Sequence, residues 1–483
     1  MSRIVGICTL STVFIAVSGR VSAQSSAETQ AHKGPETASP CPQTPPAYQQ
    51  LPYDENYEYL RNRNCRDDFW DPIKYIGLRS SGETYISLGG YVRERYEYFT
   101  NANWGQGPQT DTGYALQRYM LHADWHLGER IRLFGEVKSA LENGRNGGPR
   151  PPDEDKMDIH QAFLDVQLAG WSNGSLTLRA GRQEISLGSS RLVSVREGPN
   201  VRQAFDGFRL IVHSGKWRTD LFATKAAETD VGFFDDSPDH RRSFWGVYAT
   251  RPVHALRGSN LDVYYLGLDR KRTTFDQGSG REQRHSVGAR LWGSPKPWDY
   301  NFESVFQWGR FGPANIRAWT VASDTGYTFA SAPFKPRIGL KANIASGDRN
   351  PADSDLGTFN ALFPKGAYFS DADLIGPANF MDLHPSVTLA LTKRLSVTTD
   401  VDAFWRESLN DGVYGISGNL LRTGRLSQAR YIGTHASTTF EYRADRHTTV
   451  VLEYLHFFPG SFLEETPPGR NVNYVTAWVA YKF

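Results

Sequence analysis

From about Tyr85 to Phe483, apolar and polar side chains alternate with a period of two, in runs of roughly 9 to 14 residues parted by Gly, Asn, Asp and Pro turns. Successive side chains of an extended strand point to opposite faces, so this pattern predicts sheet and excludes a helical bundle. In YALQRYMLHADWHLG, Tyr119, Leu121, Ala123, Trp125 and Leu127 form an apolar face, and Arg118, His122, Asp124 and His126 a polar one. In RIRLFGEVKS, Ile131, Leu133 and Val137 oppose Arg132, Glu136 and Lys138. In PRIGLKANIASG, Ile338, Leu340, Ala342 and Ile344 oppose Arg337, Lys341 and Asn343. The last stretch, NYVTAWVAYKF, keeps the pattern: Val475, Ala477, Val479, Tyr481 and Phe483 share one face, and Thr476, Trp478, Ala480 and Lys482 the other. A terminal residue in such register is expected to be pinned in a sheet rather than frayed.

No later stretch reaches the roughly 18 uninterrupted apolar residues that a spanning helix requires. The first residues, MSRIVGICTLSTVFIAVSGRVSAQ, have a basic start at Arg3, an apolar stretch from Ile4 to Val17 and the small-x-small end Val21, Ser22 and Ala23. That is the pattern of a secretory signal peptide, expected at 1–23 and cleaved near Ala23. Residues 24–83 are expected as a disordered or periplasmic lead segment, Pro-rich with Ser, Ala and Gln up to about residue 52 and with little to bury. In an oxidising compartment Cys41 and Cys65 leave two readings open, one disulfide or two unpaired thiols. Loss of Arg3 and Arg20 with the signal takes the 54 basic residues to 52, equal to the 52 acidic ones. Net charge therefore points to no partner, and none of nucleic-acid type is expected.

A soluble sandwich also alternates, but it needs only short strands and buries its apolar face against a second sheet. Here 13% of residues are aromatic, with 23 Tyr and 12 Trp, and Trp125, Trp217, Trp245, Trp298 and Trp405 fall near strand ends, as in girdles at two lipid–water interfaces. A mean hydropathy of −0.50 fits a barrel with polar lumen and loops. In hydrocarbon every backbone group must be paired, so such a sheet has to close on itself. The fold predicted is all-β: a single transmembrane antiparallel β-barrel of about 18 strands over 84–483, in the bacterial outer membrane. Its last strand is expected to pair with TYISLGGYVRERYEYF.

About 16 to 18 strands enclose water rather than packed side chains, which makes the inward face the functional surface. Parity puts Arg93, Arg95, Arg118, Arg132, Lys138, Arg179, Arg209, Arg290, Arg337, Lys341 and Arg406 inside, opposed by Asp124, Glu136, Asp165, Glu303, Asp400 and Asp402. A guanidinium fork holds a carboxylate bidentately and keeps its charge, so such a lining suits a polyanion that must bind and release repeatedly. Each arginine taken alone equally serves to order water or brace a loop. Arg182 follows the apolar parity of Leu178 and Ala180, which places it at a rim or past a bulge.

His122, Asp124 and His126 share one strand face but spread over roughly 14 Å, too far to converge on a metal. DRNPADSD, from Asp348 to Asp355, has Ala352 and Asp353 where a calcium loop needs an oxygen ligand and Gly. G-x-S-x-G, H-E-x-x-H and P-loop patterns are absent from the sequence, so no enzyme, catalytic residue, metal or cofactor is expected.

The block LRAGRQEISLGSSRLVSVREGPNVRQAFDGFRL (178–210), with FWDPIKYIGL, LGGYVRERYEYF, DIHQAFLDV and SGDRNPADSDLGTFNALFPKGAYF, resembles the alginate export family of outer-membrane porins, from about Asn56 onward. The resemblance implies a monomeric barrel with an arginine-rich constriction, gated by an extracellular loop and a periplasmic turn, passing an acidic polysaccharide outward. It assigns Arg93, Arg95, Arg179, Arg182, Arg191, Arg202 and Arg209 to the pathway. With the parity set, the substrate-binding candidates are Arg93, Arg95, Arg118, Arg132, Arg179, Arg182, Arg191, Arg202, Arg209, Arg337 and Arg406. The expected partners are an anionic polysaccharide, outer-membrane lipid and a periplasmic export component. The reading is a passive channel for an alginate-like polyuronate; the alternatives are a general or sugar-uptake diffusion porin and, behind it, a barrel hydrolase.

Overall fold

The computed structural model describes residues 41–79, 83–107 and 111–483; the expected signal peptide lies outside them. Eighteen long strands follow the alternation. They are β1 Thr84–Thr100, β2 Thr112–Leu127, β3 Ile131–Asn143, β4 Asp155–Trp171, β5 Gly174–Gln183 and β6 Phe205–Ser214. Next come β7 Trp217–Glu228, β8 Ser237–Pro252, β9 Ser259–Phe275, β10 Gly278–Gly293, β11 Trp298–Phe311 and β12 Ala314–Thr328. The last six are β13 Arg337–Ala345, β14 Phe380–Ala390, β15 Leu395–Trp405, β16 Tyr431–Arg443, β17 Thr448–Pro459 and β18 Val472–Lys482. Each pairs antiparallel with the next.

β1 and β18 close the barrel, from Tyr91 opposite Lys482 to Thr100 opposite Asn473. Phe483 is pinned as its register required: its N–H donates to the Gly90 carbonyl (3.0 Å), and the Gly90 N–H donates to its own carbonyl (2.8 Å). No helix among the described residues is long and apolar enough to cross a membrane. Parity holds along the strands: Leu121, Leu133, Ile338 and Leu452 face outward, while Arg118, Asp124, Glu136 and Asn343 are buried inside.

Connections alternate in length, short at the end that barrel sequences place in the periplasm and long at the outer end. Two residues join β6 to β7, where Gly215 takes φ 59°, a left-handed turn conformation that a Cβ disfavours. At the outer end residues 184–204, 346–379 and 406–430 form the longest connections.

Two of these correct the expectation of a water-filled lumen. Residues 184–204 and 346–379 fold inward and pair: the Ser194 N–H donates to the Phe363 carbonyl (2.9 Å), the Phe363 N–H to Leu192 (2.9 Å) and the Lys365 N–H to Ser190 (3.0 Å). Their apolar residues Ile185, Leu187, Val193 and Phe363 pack with the inward rings of Phe205 and Phe244 in one buried cluster. Burial of that apolar surface draws the loops in, and strand periodicity carries no trace of it.

The lead is a second correction. Residues 41–79, expected as part of a disordered or periplasmic lead, are not disordered: they fold into short 3-10 turns at Pro52–Asp54, Glu58–Arg61 and Arg63–Cys65 and one helical turn, Asp71–Lys74. The Cys41–Cys65 disulfide joins them. Leu51 and Tyr53 are buried with Phe134 and Phe163 of the barrel wall, and Trp70 stacks on Phe483 (4.3 Å between centroids). Apolar residues scattered in a Pro-rich stretch thus find their partners inside the periplasmic mouth.

Candidate functional site

Four candidate arginines meet at one turn of the inward-folded 184–204 loop. Arg93 on β1 donates to the Glu197 carbonyl (2.8 Å) and more weakly to those of Gly198 and Pro199. Arg118 on β2 is 1% exposed; it pairs with the Glu197 carboxylate (2.6 Å) and donates to the carbonyls of Asn200 (2.8 Å), Glu197 (3.0 Å) and Pro199. Arg95 donates to the Gly198 carbonyl (3.2 Å) and to Tyr474 Oη (2.7 Å), and pairs with Glu97 (2.7 Å). Arg202, on the loop itself, pairs with Glu184 (2.7 Å) and Glu197 (3.1 Å) and donates to the Gln50 carbonyl of the lead (2.9 Å). Burial alone would push the Glu197 carboxyl up, but the cations of Arg202, Arg118 and Arg93 hold it well below the usual carboxylate range. Its side chain stays 41% exposed, so it is both clamped and wet.

Four others are paired within the wall. Arg132 grips Asp124 bidentately (2.7 and 2.8 Å) and donates to the Tyr53 carbonyl (2.6 Å). Arg179 grips Asp165 in the same way (2.7 and 2.8 Å), with its guanidinium over the rings of Tyr53 and Phe163. Arg209 holds Asp220 (2.8 Å), and Arg337 lies 3.3 Å from Asp299.

Two leave the candidate lumen. Arg182 keeps the outward parity of Leu178 and Ala180 because the β5 register passes from Thr177 to Arg182 without a shift. At the outer rim it grips Asp206 (2.8 and 3.1 Å), so the rim placement holds and the bulge does not. Arg406 lies just past β15, enclosed by the carbonyls of Ala429, Ser427, Leu409 and Asp411, and braces the 406–430 connection.

The eleventh, Arg191, lies on the loop with Glu303 at 3.7 Å. The same two loops carry two basic groups that sequence reasoning missed: Lys365, near Arg191 and Lys341, and Arg196, near Arg242, Arg270 and Asp373. Among the described residues no ion pair within 4 Å joins Arg196 or Lys365 to an acid. Burial, Arg242 and Arg270 bring Arg196 down to about 10, while burial, Lys341 and Arg191 bring Lys365 down to about 8. Asp373, nearby on the 346–379 loop, is pushed up to about 8 by burial and by Asp371. These groups lie in loops, where no alternation signals which side chains face the lumen; the "SVREGP" quoted in the 178–210 block held the only hint.

The lead meets this arrangement from below. The Tyr53 hydroxyl donates to the Glu184 carbonyl (2.7 Å), tying the lead to the first residue of the 184–204 loop. The Lys74 ammonium is buried near the rings of Tyr48 (5.3 Å) and Tyr57 (4.7 Å).

A closed eighteen-stranded barrel with an apolar outer surface and charged inner face defines an integral channel of the bacterial outer membrane. The sequence matches the alginate export family over residues 84–477, and the chain belongs to that family. Comparison with curated protein sequences gives no match. Among solved structures, OpdO of Pseudomonas aeruginosa is 10% identical, with a TM-score of 0.55 over 82% of this chain and 97% of its own. A BenF-like porin from Pseudomonas fluorescens Pf-5 is 9% identical, with a TM-score of 0.55 over 82% and 98%. OccAB1 of Acinetobacter baumannii is 13% identical, with a TM-score of 0.55 over 86% and 99%. At these identities the likeness is one of fold. Family and fold together indicate a channel rather than an enzyme.

Proposed function

We propose that the barrel is a passive channel for an anionic polysaccharide, an alginate-like polyuronate, which moves along basic side chains of the lumen. The observation that carries this reading is that Arg191, Arg196 and Lys365 lie on the two inward-folded loops, and that among the described residues the one ion pair within 4 Å that they make is Arg191 with Glu303, at 3.7 Å. A polymer carboxylate finds there cations that the protein has not fully neutralised. Arg93, Arg95, Arg118 and Arg202 act on this reading as the clamp that fixes the 184–204 loop, and Arg132, Arg179, Arg209 and Arg337 as wall braces. The lead closes the periplasmic mouth and has to shift for a polymer to pass. The channel works as a monomer, supplied by a periplasmic export component.

The test is single-channel conductance of refolded protein in a salt gradient, with and without a short polyuronate. Anion preference with block by the polymer supports the reading, and Arg191→Glu with Lys365→Glu should remove both. A large, weakly selective conductance untouched by polyuronate would favour a general or sugar-uptake porin. That second reading draws on the bidentate pairing of Arg132 and Arg179, which leaves much of the wall charge-balanced.

A further inference from the structure

On the inner face of three neighbouring strands, His384 of β14, Asp402 of β15 and His435 of β16 stand in one row. Asp402 is in register with His435, and the β14–β15 register, with Leu383 opposite Ala403 and Ser386 opposite Asp400, sets His384 opposite Asp402. One nitrogen from each imidazole and one oxygen of the Asp402 carboxylate lie within 4.8 Å of one another. We propose that this row binds one divalent cation of the borderline class, such as Zn2+.

The hydrogen bonding around the row is that of a metal site. Asp400, two residues from Asp402 on the same face, lies 3.0 Å from His384 Nε2 and accepts from Ser437 Oγ (2.7 Å). A carboxylate holding one ring nitrogen as N–H fixes the tautomer and leaves the other lone pair bare, the arrangement found behind most metal-bound imidazoles. The bare atom, His384 Nδ1, lies 3.1 Å from Asp402 Oδ2. Ligands at about 2.0–2.1 Å from a zinc ion sit roughly 3 to 3.4 Å apart, so this spacing already suits a shared ion. Asp402 is fully buried: its Oδ1 has no hydrogen-bond partner and its Oδ2 has His384 Nδ1 beside it, while His435 Nε2 has Asp400 Oδ1 at a long 3.4 Å. A buried carboxylate and two imidazoles satisfied by little but one another are a poor end state for protein alone and a good one for a bound cation.

The remaining neighbours agree. Asp382 is occupied by Asn343 Nδ2 (2.8 and 2.9 Å) and does not compete. Lys341, next in the row on β13, makes no ion pair with these acids among the described residues. The two imidazole rings are nearly perpendicular, at 86° and 5.8 Å between centroids, which presents their nitrogens from two directions. A small cavity bounded by Phe369, Ser370, Phe404, His435 and Phe457 reaches the row at His435. The ion would tie three strands together beneath the 346–379 loop, whose Phe369 packs on Phe404 (5.1 Å).

Full-length protein refolded in detergent and stripped with chelator is titrated with Co2+, then Zn2+. One Co2+ per chain with visible d–d absorption, displaced by one Zn2+, is expected. Asp402→Asn and His435→Gln should each weaken Zn2+ by about 100-fold or more, whereas His213→Gln, far from the row, leaves it unchanged. Correct folding of each variant is checked by heat-modifiable gel mobility. X-ray absorption of Zn2+ on the unaltered protein gives a readout independent of variant folding, expected to show two imidazoles. No d–d band, equal binding by the variants, or a zinc shell without imidazole overturns the site.

Discussion

Tyr53 is the side chain by which the lead reaches into the barrel, and replacing it tests whether the lead obstructs conduction. Its ring packs edge-on against Phe134 (6.0 Å) and Phe163 (5.4 Å), lies under the Arg179 guanidinium (4.2 Å) and donates its hydroxyl to the Glu184 carbonyl (2.7 Å). Truncating a buried aromatic side chain to alanine costs about 3–5 kcal/mol, and the lost hydrogen bond adds about 1 kcal/mol. Taking about 4 kcal/mol, the ratio of docked to undocked lead should fall by about a thousandfold in Tyr53→Ala. Tyr53→Phe keeps the ring and should change it by less than about tenfold. Single-channel recording should show a marked rise in high-conductance dwell time for the alanine variant and little change for phenylalanine. Wild-type conductance and dwell times in a correctly folded Tyr53→Ala protein would refute the claim that the lead closes the pore.

Three further outcomes follow from the same geometry. Reduction of Cys41–Cys65, which closes a loop with a sequence separation of 24, should cost the lead about 3 kcal/mol and raise high-conductance occupancy in wild type; an unchanged recording would refute this. Arg118→Ala leaves the half-exposed Glu197 without its shortest ion pair and the Asn200 carbonyl without its arginine donor, at a cost of about 1–3 kcal/mol. Trypsin should then cut the 184–204 loop after Arg191 or Arg196 faster than in wild type, and equal rates would count against the clamp. Lys365, lowered to about 8, is charged at pH 7 and loses its proton as pH rises through 8, while Asp373, raised to about 8, becomes negative over the same range. Both changes reduce anion preference, so selectivity should fall between pH 7 and 9, with a smaller step in Lys365→Met; a flat profile would exclude these two groups from the conduction path.

The strands were legible because an alternating run has few ways to bury one face and solvate the other, and a one-residue slip would invert every side chain. Arg182 shows how far that logic reaches: its apolar parity left a rim or a bulge open, and family resemblance drew it into the pathway. The loops were not legible, since Ile185, Leu187 and Val193 read equally well as a strand, a lid or a lumen-filling segment until Phe205, Phe244 and Phe363 are known to wait inside. The lead was hidden for a related reason: its first part is rich in Pro, Ser, Ala and Gln, whereas its docking depends on scattered side chains such as Leu51, Tyr53, Tyr57, Leu60 and Trp70. The His384, Asp402 and His435 row needs the register of three strands, which no single-sequence spacing encodes.

The distribution of ion pairs says where selectivity resides. Along the wall, arginines and carboxylates face each other across neighbouring strands, as Arg179 does Asp165 and Arg209 does Asp220, and a bidentate pair has little attraction left for a passing anion. On the inward loops Arg196 and Lys365 lack such partners among the described residues, and burial and neighbouring cations hold their pKa values below the usual range. On the reading proposed above, a polymer meets most of its usable positive charge on these inward-folded segments. Changing which anion passes should then require substitutions in residues 184–204 and 346–379, while exchanging Arg–Asp pairs in the wall should alter stability and leave selectivity nearly unchanged.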